Sequence, residues 1–292
     1  MASEFKTIGL IGKFADTSTR DILQTVHDLL VGQQCQVFLD AHTAELIPEL
    51  DMTSLSRPEM GARCDLIIVI GGDGTFLNAV RSLAEFDVPL IGINLGRLGF
   101  LADISKDELH TTLQNMLDGD YLEERRFILH AAIHSHDSED DESYAFNDVV
   151  VHKWNVARMI ELDVYINGQY MNTLRSDGLI VSTPTGSTAY ALSGGGPIVH
   201  PSLDAIILVP ICPHTMSQRP IVVDSNSELE IVVSNMNQAD AQVTCDGQNN
   251  INIKCGDSIT VKKFASPVRL FHPSSYDYYD ILRAKLHWGH RL

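Results

Sequence analysis

The sequence predicts an α/β fold in two parts, an N-terminal parallel α/β domain and a C-terminal β-rich, β-sandwich-like domain, with the C-terminal helix returning to the first domain. Three observations carry this. Up to about residue 120, short β-branched apolar runs alternate with stripes of helical period. From Arg126 onward short strands are divided by Gly, Asn and Asp turns, and after Pro273 the helical period comes back. The implied boundaries are 1–122 with 273–292 for the first domain and 123–272 for the second.

Residues 8–11 form a first apolar strand. After the polar turn Asp16-Thr17-Ser18-Thr19, the residues Ile22, Val26, Leu29 and Leu30 make a helical stripe closed by Gly32. Residues 35–39 read as a second strand and 41–47 as a brief helix ending near Pro48; from there to Ala62 the pattern is weak. The run Leu66-Ile67-Ile68-Val69-Ile70 is apolar without alternation, the mark of a strand buried on both faces. A helix over 75–86 follows, with Phe76, Val80 and Leu83 on one side. Residues 89–93 are another buried strand. Ser105 with Glu108 has the spacing of a capping box, opening a helix through Leu109, Leu113 and Leu117 to Gly119. Such alternation gives a Rossmann-like parallel sheet with right-handed crossovers, whose ligands sit beyond the C-terminal ends of the strands.

Beyond Tyr121 the period changes. Residues 126–136 have strand character, the acidic run 137–142 reads as an exposed hairpin loop, and Val149-Val150-Val151 returns as a strand. Residues 159–166 alternate, Asn167-Gly168 is a strong two-residue hairpin signal, and 170–174 continues the hairpin. Strands are expected at 179–181, 206–209, 229–233, 242–245, 251–253, 259–264 and 268–271. The final helix starts at Pro273-Ser274-Ser275, with Tyr279, Leu282 and Leu286 on one side and Trp288 after it.

The 292 residues carry 21 Lys and Arg against 38 Asp and Glu, a net charge of −17, which argues against nucleic-acid and anionic-membrane partners. Any anionic ligand must therefore be held locally. The five cysteines, Cys35, Cys64, Cys212, Cys245 and Cys255, are odd in number and show no Cys-x-x-Cys spacing, so they read as reduced, mostly buried thiols. His130, His134 and His136 form no ligand constellation, and no protein metal site is expected. The start leads directly into a strand-like segment with Lys13 and Asp16 close behind, and no apolar run is long enough to span a bilayer, so a cytoplasmic location is expected.

Two stretches carry the chemistry. Gly71-Gly72-Asp73-Gly74 lies between a buried strand and a helix, where first-turn N–H groups lack intrahelical partners and favour anions. The glycines are expected to take backbone conformations closed to other residues and to let a ligand come close. Asp73 reads either as a turn residue or cap, or as a proton acceptor beside a phosphoryl group. The second stretch, Arg175-Ser176-Asp177-Gly178 through Thr183-Pro184-Thr185-Gly186-Ser187-Thr188-Ala189-Tyr190 to Gly194-Gly195-Gly196, offers hydroxyls and backbone donors as a second ligand wall. No P-loop is present, and no Gly-x-Gly-x-x-Gly follows a strand.

Gly71-Gly72-Asp73-Gly74 alone is shared in type with phosphofructokinases and with diacylglycerol and sphingosine kinases. Together with Gly92-Ile93-Asn94-x-Gly96-x-x-Gly99-Phe100-Leu101, Asn147-Asp148 and Thr183-Pro184-Thr185-Gly186-Ser187-Thr188-Ala189-Tyr190, the chain resembles the NAD kinase family over nearly its whole length. Pro213-His214 and Arg219-Pro220 are similar to its Gram-negative bacterial branch. The resemblance implies ATP-dependent phosphorylation of the 2′-hydroxyl of the adenosine ribose of NAD. Carried over by position, Asp73 would be the general base, and Gly71, Gly72 and Gly74 the phosphate-approach turn, with Gly74 also beside NAD. Asn147 and Asp148 would hold ribose hydroxyls, Asp148 standing where the family usually has Glu. Asp177, Ala189, Tyr190 and Ser193 would bind the nicotinamide and adenine portions, with Thr188 beside them and Phe100 near the adenine. Arg158, Arg175 and Gln248 are further implied contacts, Arg175 to a pyrophosphate or the donor. Mg²⁺ would arrive with ATP, and self-association as a homodimer or homotetramer is implied. A diacylglycerol-type lipid kinase and a non-catalytic nucleotide sensor are the alternatives; the acidic balance opposes the first and an intact Asp73 the second.

Overall fold

The computed structural model describes residues 4–12, 17–48, 50, 52–96, 99–135, 140–154, 158–235 and 241–288. Lys13, Asp16, Arg97, Leu98 and His136, together with 137–139 of the acidic run, lie outside the described residues. The chain forms two compact units, Met1–Arg125 with Val268–Leu292, and Arg126–Pro267.

In the first unit the sheet runs in the order Ser54–Leu55, Gln36–Asp40, Thr7–Gly12, Leu66–Ile70, Leu90–Asn94, Val268–Pro273 and Tyr121–Arg126, with Ile104–Ser105 also paired to Leu90–Asn94. Thr7–Gly12 pairs in parallel with both Gln36–Asp40 and Leu66–Ile70, and Leu66–Ile70 pairs in parallel with Leu90–Asn94. Strand order therefore reverses between Thr7–Gly12 and Leu66–Ile70, the place where open α/β sheets leave a crevice past their strand ends. Every residue of Leu66–Ile70 and of Leu90–Asn94 is buried, which is why neither run alternates.

Several local expectations change. The helix after the glycine turn is Asp73–Ser82, beginning two residues earlier than its apolar stripe suggests, because Gly72 takes the N-cap. Ser105 and Glu108 make no capping box: Ser105 ends a short strand, and Glu108, the N-cap of Leu109–Leu117, makes no side-chain cap. The reciprocal cap occurs instead in the weakly patterned stretch, where the Glu59 carboxylate accepts from the Ser56 amide at 2.9 Å and its hydroxyl at 2.6 Å to start Arg57–Arg63. The run beginning at Val268 reads as one more strand of the β-rich domain, yet Leu270 pairs in parallel with Leu90 in the first unit. The final helix is Tyr278–Leu286, later than expected, since Asp277 caps it by accepting from the Tyr279 and Asp280 amides at 2.7 and 3.2 Å. Its buried residues are Ile281 and Leu282, while Tyr279 is exposed.

The second unit holds two six-stranded antiparallel sheets. One runs Ile221–Asp224, Ala205–Ile211, Gly178–Ser182, Asp148–Lys153, Ala241–Cys245 and Asn249–Ile253; the other runs Gln169–Ser176, Ile160–Ile166, Leu229–Val233, Ser258–Lys263, Leu129–His134 and Asp141–Ala145. Asp141 and Glu142, read as part of an acidic loop, begin the last of these, with Glu142 opposite Ala132. The Asn167-Gly168 turn has both residues at positive φ, 52° and 73°, as the hairpin twist demands. Alternate residues such as Val149, Val151, Leu162, Val164, Leu229 and Ile231 form the core between the sheets. Val150, Ile180, Ile207 and Val209 point the other way and are covered by Ala191 and Val199. The middle of this sheet is thus covered on both faces, which explains the continuous apolar runs of Gly178–Ser182 and Ala205–Ile211.

Candidate functional site

Asp73 is the first residue of its helix, just past the end of Leu66–Ile70. Its carboxylate accepts hydrogen bonds from three successive backbone amides: Phe100 at 3.0 Å, Leu101 at 3.1 Å and Ala102 at 3.4 Å. The turn that supplies them is closed by the Gly99 amide donating to the Ala102 carbonyl at 3.1 Å, and the Asn94 side chain donates to the same carbonyl at 3.2 Å. A Cβ on Gly99 would lie 2.2 Å from Asp73 Oδ1, so the glycine is the space the carboxylate occupies. The two motifs read separately in the sequence, Gly71 to Gly74 and Gly92 to Leu101, are therefore one arrangement.

The glycines of the first motif take no unusual backbone, and Gly71 is required by space. None of Gly71, Gly72 and Gly74 has positive φ, contrary to the expectation from the sequence. A Cβ on Gly71 would lie 2.6 Å from Thr75 Oγ1, whereas a Cβ on Gly72 would meet nothing within 4 Å. Gly72 thus leaves an open approach beside Asp73. The half-buried Phe100 ring has Lys285 Nζ 5.7 Å above its centre.

The second unit contains a cavity of about 460 Å³ on the outer face of the sheet built around Asp148–Lys153. Asn147, Asp148, Asp177, Ala189 and Tyr190, five of the residues implied by the resemblance, line it. Val150 and His152 follow Asp148 on the same face by the two-residue period of a strand, and Thr244 pairs opposite Val150. Lys153 Nζ lies 2.6 Å from Asp177 Oδ1. His152 bridges the Lys153 carbonyl and the Thr244 hydroxyl, at 3.1 Å each. Tyr190 is 47% exposed and Ile211 half-buried, so the cavity has an open aromatic edge.

Asp246 organises this wall. Its carboxylate accepts from the amides of Phe146 at 3.0 Å, Asn147 at 2.7 Å and Asp148 at 3.2 Å. From the other side, Thr183 donates its hydroxyl to the Phe146 carbonyl at 2.6 Å and its amide to the Asn147 carbonyl at 2.9 Å. A Cβ on Gly186 would lie 2.1 Å from that same Asn147 oxygen. The hydroxyls of Thr183 and Ser187 are buried and bonded to backbone, so the Ser/Thr-rich turn fixes the Asn147 strand, and Ala189 and Tyr190 supply the wall itself. Asp148 is 4% exposed; burial, and next the charge of Asp246, push its carboxyl up from 3.8 to about 7.

Thr188, Ser193, Arg158, Arg175 and Gln248 do not line the cavity. Thr188 donates its hydroxyl to the Thr185 carbonyl at 3.3 Å, Arg158 is exposed, and the exposed Arg175 lies 3.9 Å from Glu161. The sequence reading missed His152, Lys153, Thr244 and Asp246. The period of the strand through Asp148 pointed to His152, and Asp246-Gly247 is a turn dipeptide like Asn167-Gly168, with φ of 53° and 64°. Among the described residues no three His, Cys, Asp or Glu converge as a metal site, and no helix is long and apolar enough to cross a membrane.

The known proteins that resemble this chain agree with each other. The ATP-NAD kinase N-terminal domain matches residues 8–121 and the ATP-NAD kinase C-terminal domain residues 146–272. The chain is 51% identical to an NAD kinase of Nitrosococcus oceani over 296 residues, covering all of both chains, and 49% identical to one of Pseudomonas fluorescens over 289 residues, covering 99% of this chain and 98% of that one. Among solved structures it is similar to a yeast NADH kinase complexed with NADH, with TM-score 0.90 and 25% identity over 98% of this chain and 89% of the other. An NAD kinase from Archaeoglobus fulgidus in complex with ATP gives TM-score 0.76 and 26% identity over 95% and 99% of the two chains. By residues matched, by identity along the full length and by fold, this chain belongs to the NAD kinase family.

Proposed function

We propose that Asp73 is the general base of an NAD kinase reaction, taking the proton from the 2′-hydroxyl of the adenosine ribose as the γ-phosphoryl of ATP is transferred, to give NADP and ADP. The observation that carries this is the triple amide grip on its carboxylate, which fixes the group without covering the open side at Gly72. Phosphoryl transfer needs positioning and charge stabilisation more than covalent help, and a hydroxyl must lose its proton as the new P–O bond forms. Gly71, Gly72 and Gly74 are the turn along which the phosphates approach.

The cavity of the β-rich unit holds the dinucleotide. Asn147 and Asp148 meet ribose hydroxyls, and Asp177, Ala189 and Tyr190 meet the nicotinamide and adenine portions. Ser193, Thr188, Arg158, Arg175 and Gln248 are contacts made around this core, with Arg175, exposed and loosely paired, turning to a phosphate, and Phe100 meets the adenine. Mg²⁺ enters as part of the MgATP substrate. Self-association as a dimer or tetramer is supported by the edge strand Ile221–Asp224, whose Ile221 and Val222 are exposed. A cytoplasmic setting suits a reaction that consumes ATP and NAD. Full-length identity with NAD kinases decides against the lipid-kinase and sensor readings.

The test is direct. With ATP, Mg²⁺ and NAD supplied and NADP read by an NADP-specific dehydrogenase, Asp73→Asn should lower kcat by about 10² to 10⁴ with NAD affinity nearly unchanged. Retained turnover would remove Asp73 as the base.

A further inference from the structure

We propose that His272 is a positioning residue for phosphoryl transfer, acting through Asp103 to fix the turn whose amides grip Asp73. The inference rests on reading Asp73 as the base. His272 is 2% exposed and engaged at both ring nitrogens: Nδ1 lies 2.8 Å from Asp103 Oδ2 and Nε2 lies 3.2 Å from Glu124 Oε2. The Tyr276 ring stacks on it at 4.0 Å between centres and 17° between planes. Ionised carboxylates only accept, so with both in that form both nitrogens donate.

Asp103 is the residue immediately after Ala102, the last of the three amides on Asp73. Asn94 holds the turn at the Ala102 carbonyl, and His272 holds it one residue later. The second Asp103 oxygen, Oδ1, is buried and has no hydrogen-bond partner among the described residues. This carboxylate therefore depends on the imidazole, and without that donor it gains by turning toward water and taking the turn with it.

The strands that carry His272 and Glu124 have other ties. Arg269 donates to Glu123 at 2.9 and 3.2 Å, and Phe271 stacks on Tyr121 at 4.3 Å. A buried carboxylate and imidazole, joined to a second carboxylate that is partly exposed, are a poor way to add stability to such a sheet, since apolar groups of the same volume do so at lower desolvation cost. What the cluster does that they cannot is hold Asp103, and hence the amides at 100–102.

Two substitutions separate the two contacts. The amide nitrogen of Asn stands near the place of Nδ1 and that of Gln near the place of Nε2, so His272→Asn keeps the bond to Asp103 and His272→Gln keeps only that to Glu124. We expect His272→Gln to lower kcat about tenfold or more with the NAD KM within about twofold, and His272→Asn to recover kcat to within about threefold of the native enzyme. In the Asp73→Asn background His272→Gln should cause no further loss, because the group it positions is gone. Hydrogen exchange at the Phe100, Leu101 and Ala102 amides should quicken in His272→Gln and stay slow in His272→Asn. Equal loss in the two His272 variants, or the same fold loss with and without Asp73, overturns the proposal. Full turnover in Asp73→Asn alone overturns the base instead, and the exchange of the three amides then decides whether His272 holds the turn. Should His272→Gln not fold, Asp103→Ser breaks the same contact from the other side and carries the same expectations.

Discussion

In the α/β unit the carboxylate of Asp73 accepts the amides of Phe100, Leu101 and Ala102; in the β-rich unit that of Asp246 accepts those of Phe146, Asn147 and Asp148. Each anion is thus gripped by three consecutive amides. The use made of the grip is opposite. Around Asp73 the amides come from a turn distant in the sequence, and the carboxylate stands beside the open side at Gly72. Around Asp246 the carboxylate is buried in a tight turn, and two of the three residues that donate, Asn147 and Asp148, line the cavity. One unit holds the proposed base with backbone; the other holds the proposed binding residues with a carboxylate. The second solution also places a negative charge next to Asp148, whose carboxyl is pushed up to about 7 by burial first and by Asp246 second.

The sharpest way to break the comparison is at Gly99. An added Cβ would meet Asp73 Oδ1 at 2.2 Å and the Ala102 carbonyl at 3.0 Å, and the part free to move is the end of the Asp73 side chain. Gly99→Ala should therefore leave the fold in place and turn the Asp73 carboxylate, the proposed base, aside. A displacement of about 1 Å can lower turnover on the order of 10²-fold, so kcat should fall by about that factor, with the melting temperature only slightly changed. If kcat is kept and the melting temperature collapses, the amide grip serves folding and not chemistry.

How much of this was legible beforehand differs between the units for a physical reason. Asp73 could be singled out as a candidate because everything that positions it comes from two short runs of glycine and small residues, and a strand followed by a glycine turn and a helix is a local pattern. That Gly99 makes room for Asp73 could not be read, since no period relates residues 26 apart in the sequence. In the β-rich unit Asn147, Asp148 and Tyr190 came from the family resemblance, while Lys153 and Asp246 reach the cavity through antiparallel pairing, which brings Ala241 opposite Lys153 and Cys245 opposite Val149. Val268–Pro273 was misplaced for the same reason: its β-branched and aromatic pattern fits an edge or a central strand of either sheet, and its parallel pairing with Leu90 is decided at long range.

A smaller effect is expected at the other grip. Asp246→Asn puts an NH₂ group against amide donors and removes charge-assisted bonds that are each worth about 1.5–3 kcal/mol. Part of this is regained by turn rearrangement, so a melting temperature lower by about 5 °C is expected. Because the amides released belong to Asn147 and Asp148, the NAD KM should rise several-fold while kcat changes less. A lowered melting temperature with an unchanged KM would make Asp246 a turn residue only, and the likeness to Asp73 would be one of geometry without a link to binding.

The smallest effect is a pH dependence at Asp148, whose side chain, unlike those of Asp73 and Asp246, accepts no backbone amide among the described residues. Its carboxyl in the fold titrates at about 7, above the ordinary 3.8, chiefly through burial and then through Asp246. A folded value raised above the unfolded one means that the stability it contributes is full below about pH 4 and is lost as the pH rises through 7. Asn at this position has no charge to bury. The melting temperature of Asp148→Asn should therefore match the native enzyme near pH 4, exceed it by a growing margin up to about pH 7, and lead by a constant few degrees above pH 8. A difference present at every pH would trace to lost packing rather than to charge. A lead that shrinks with rising pH would mean that the ionised carboxylate has a partner in the fold, and Asp148 would then belong with Asp73 and Asp246 rather than stand against them.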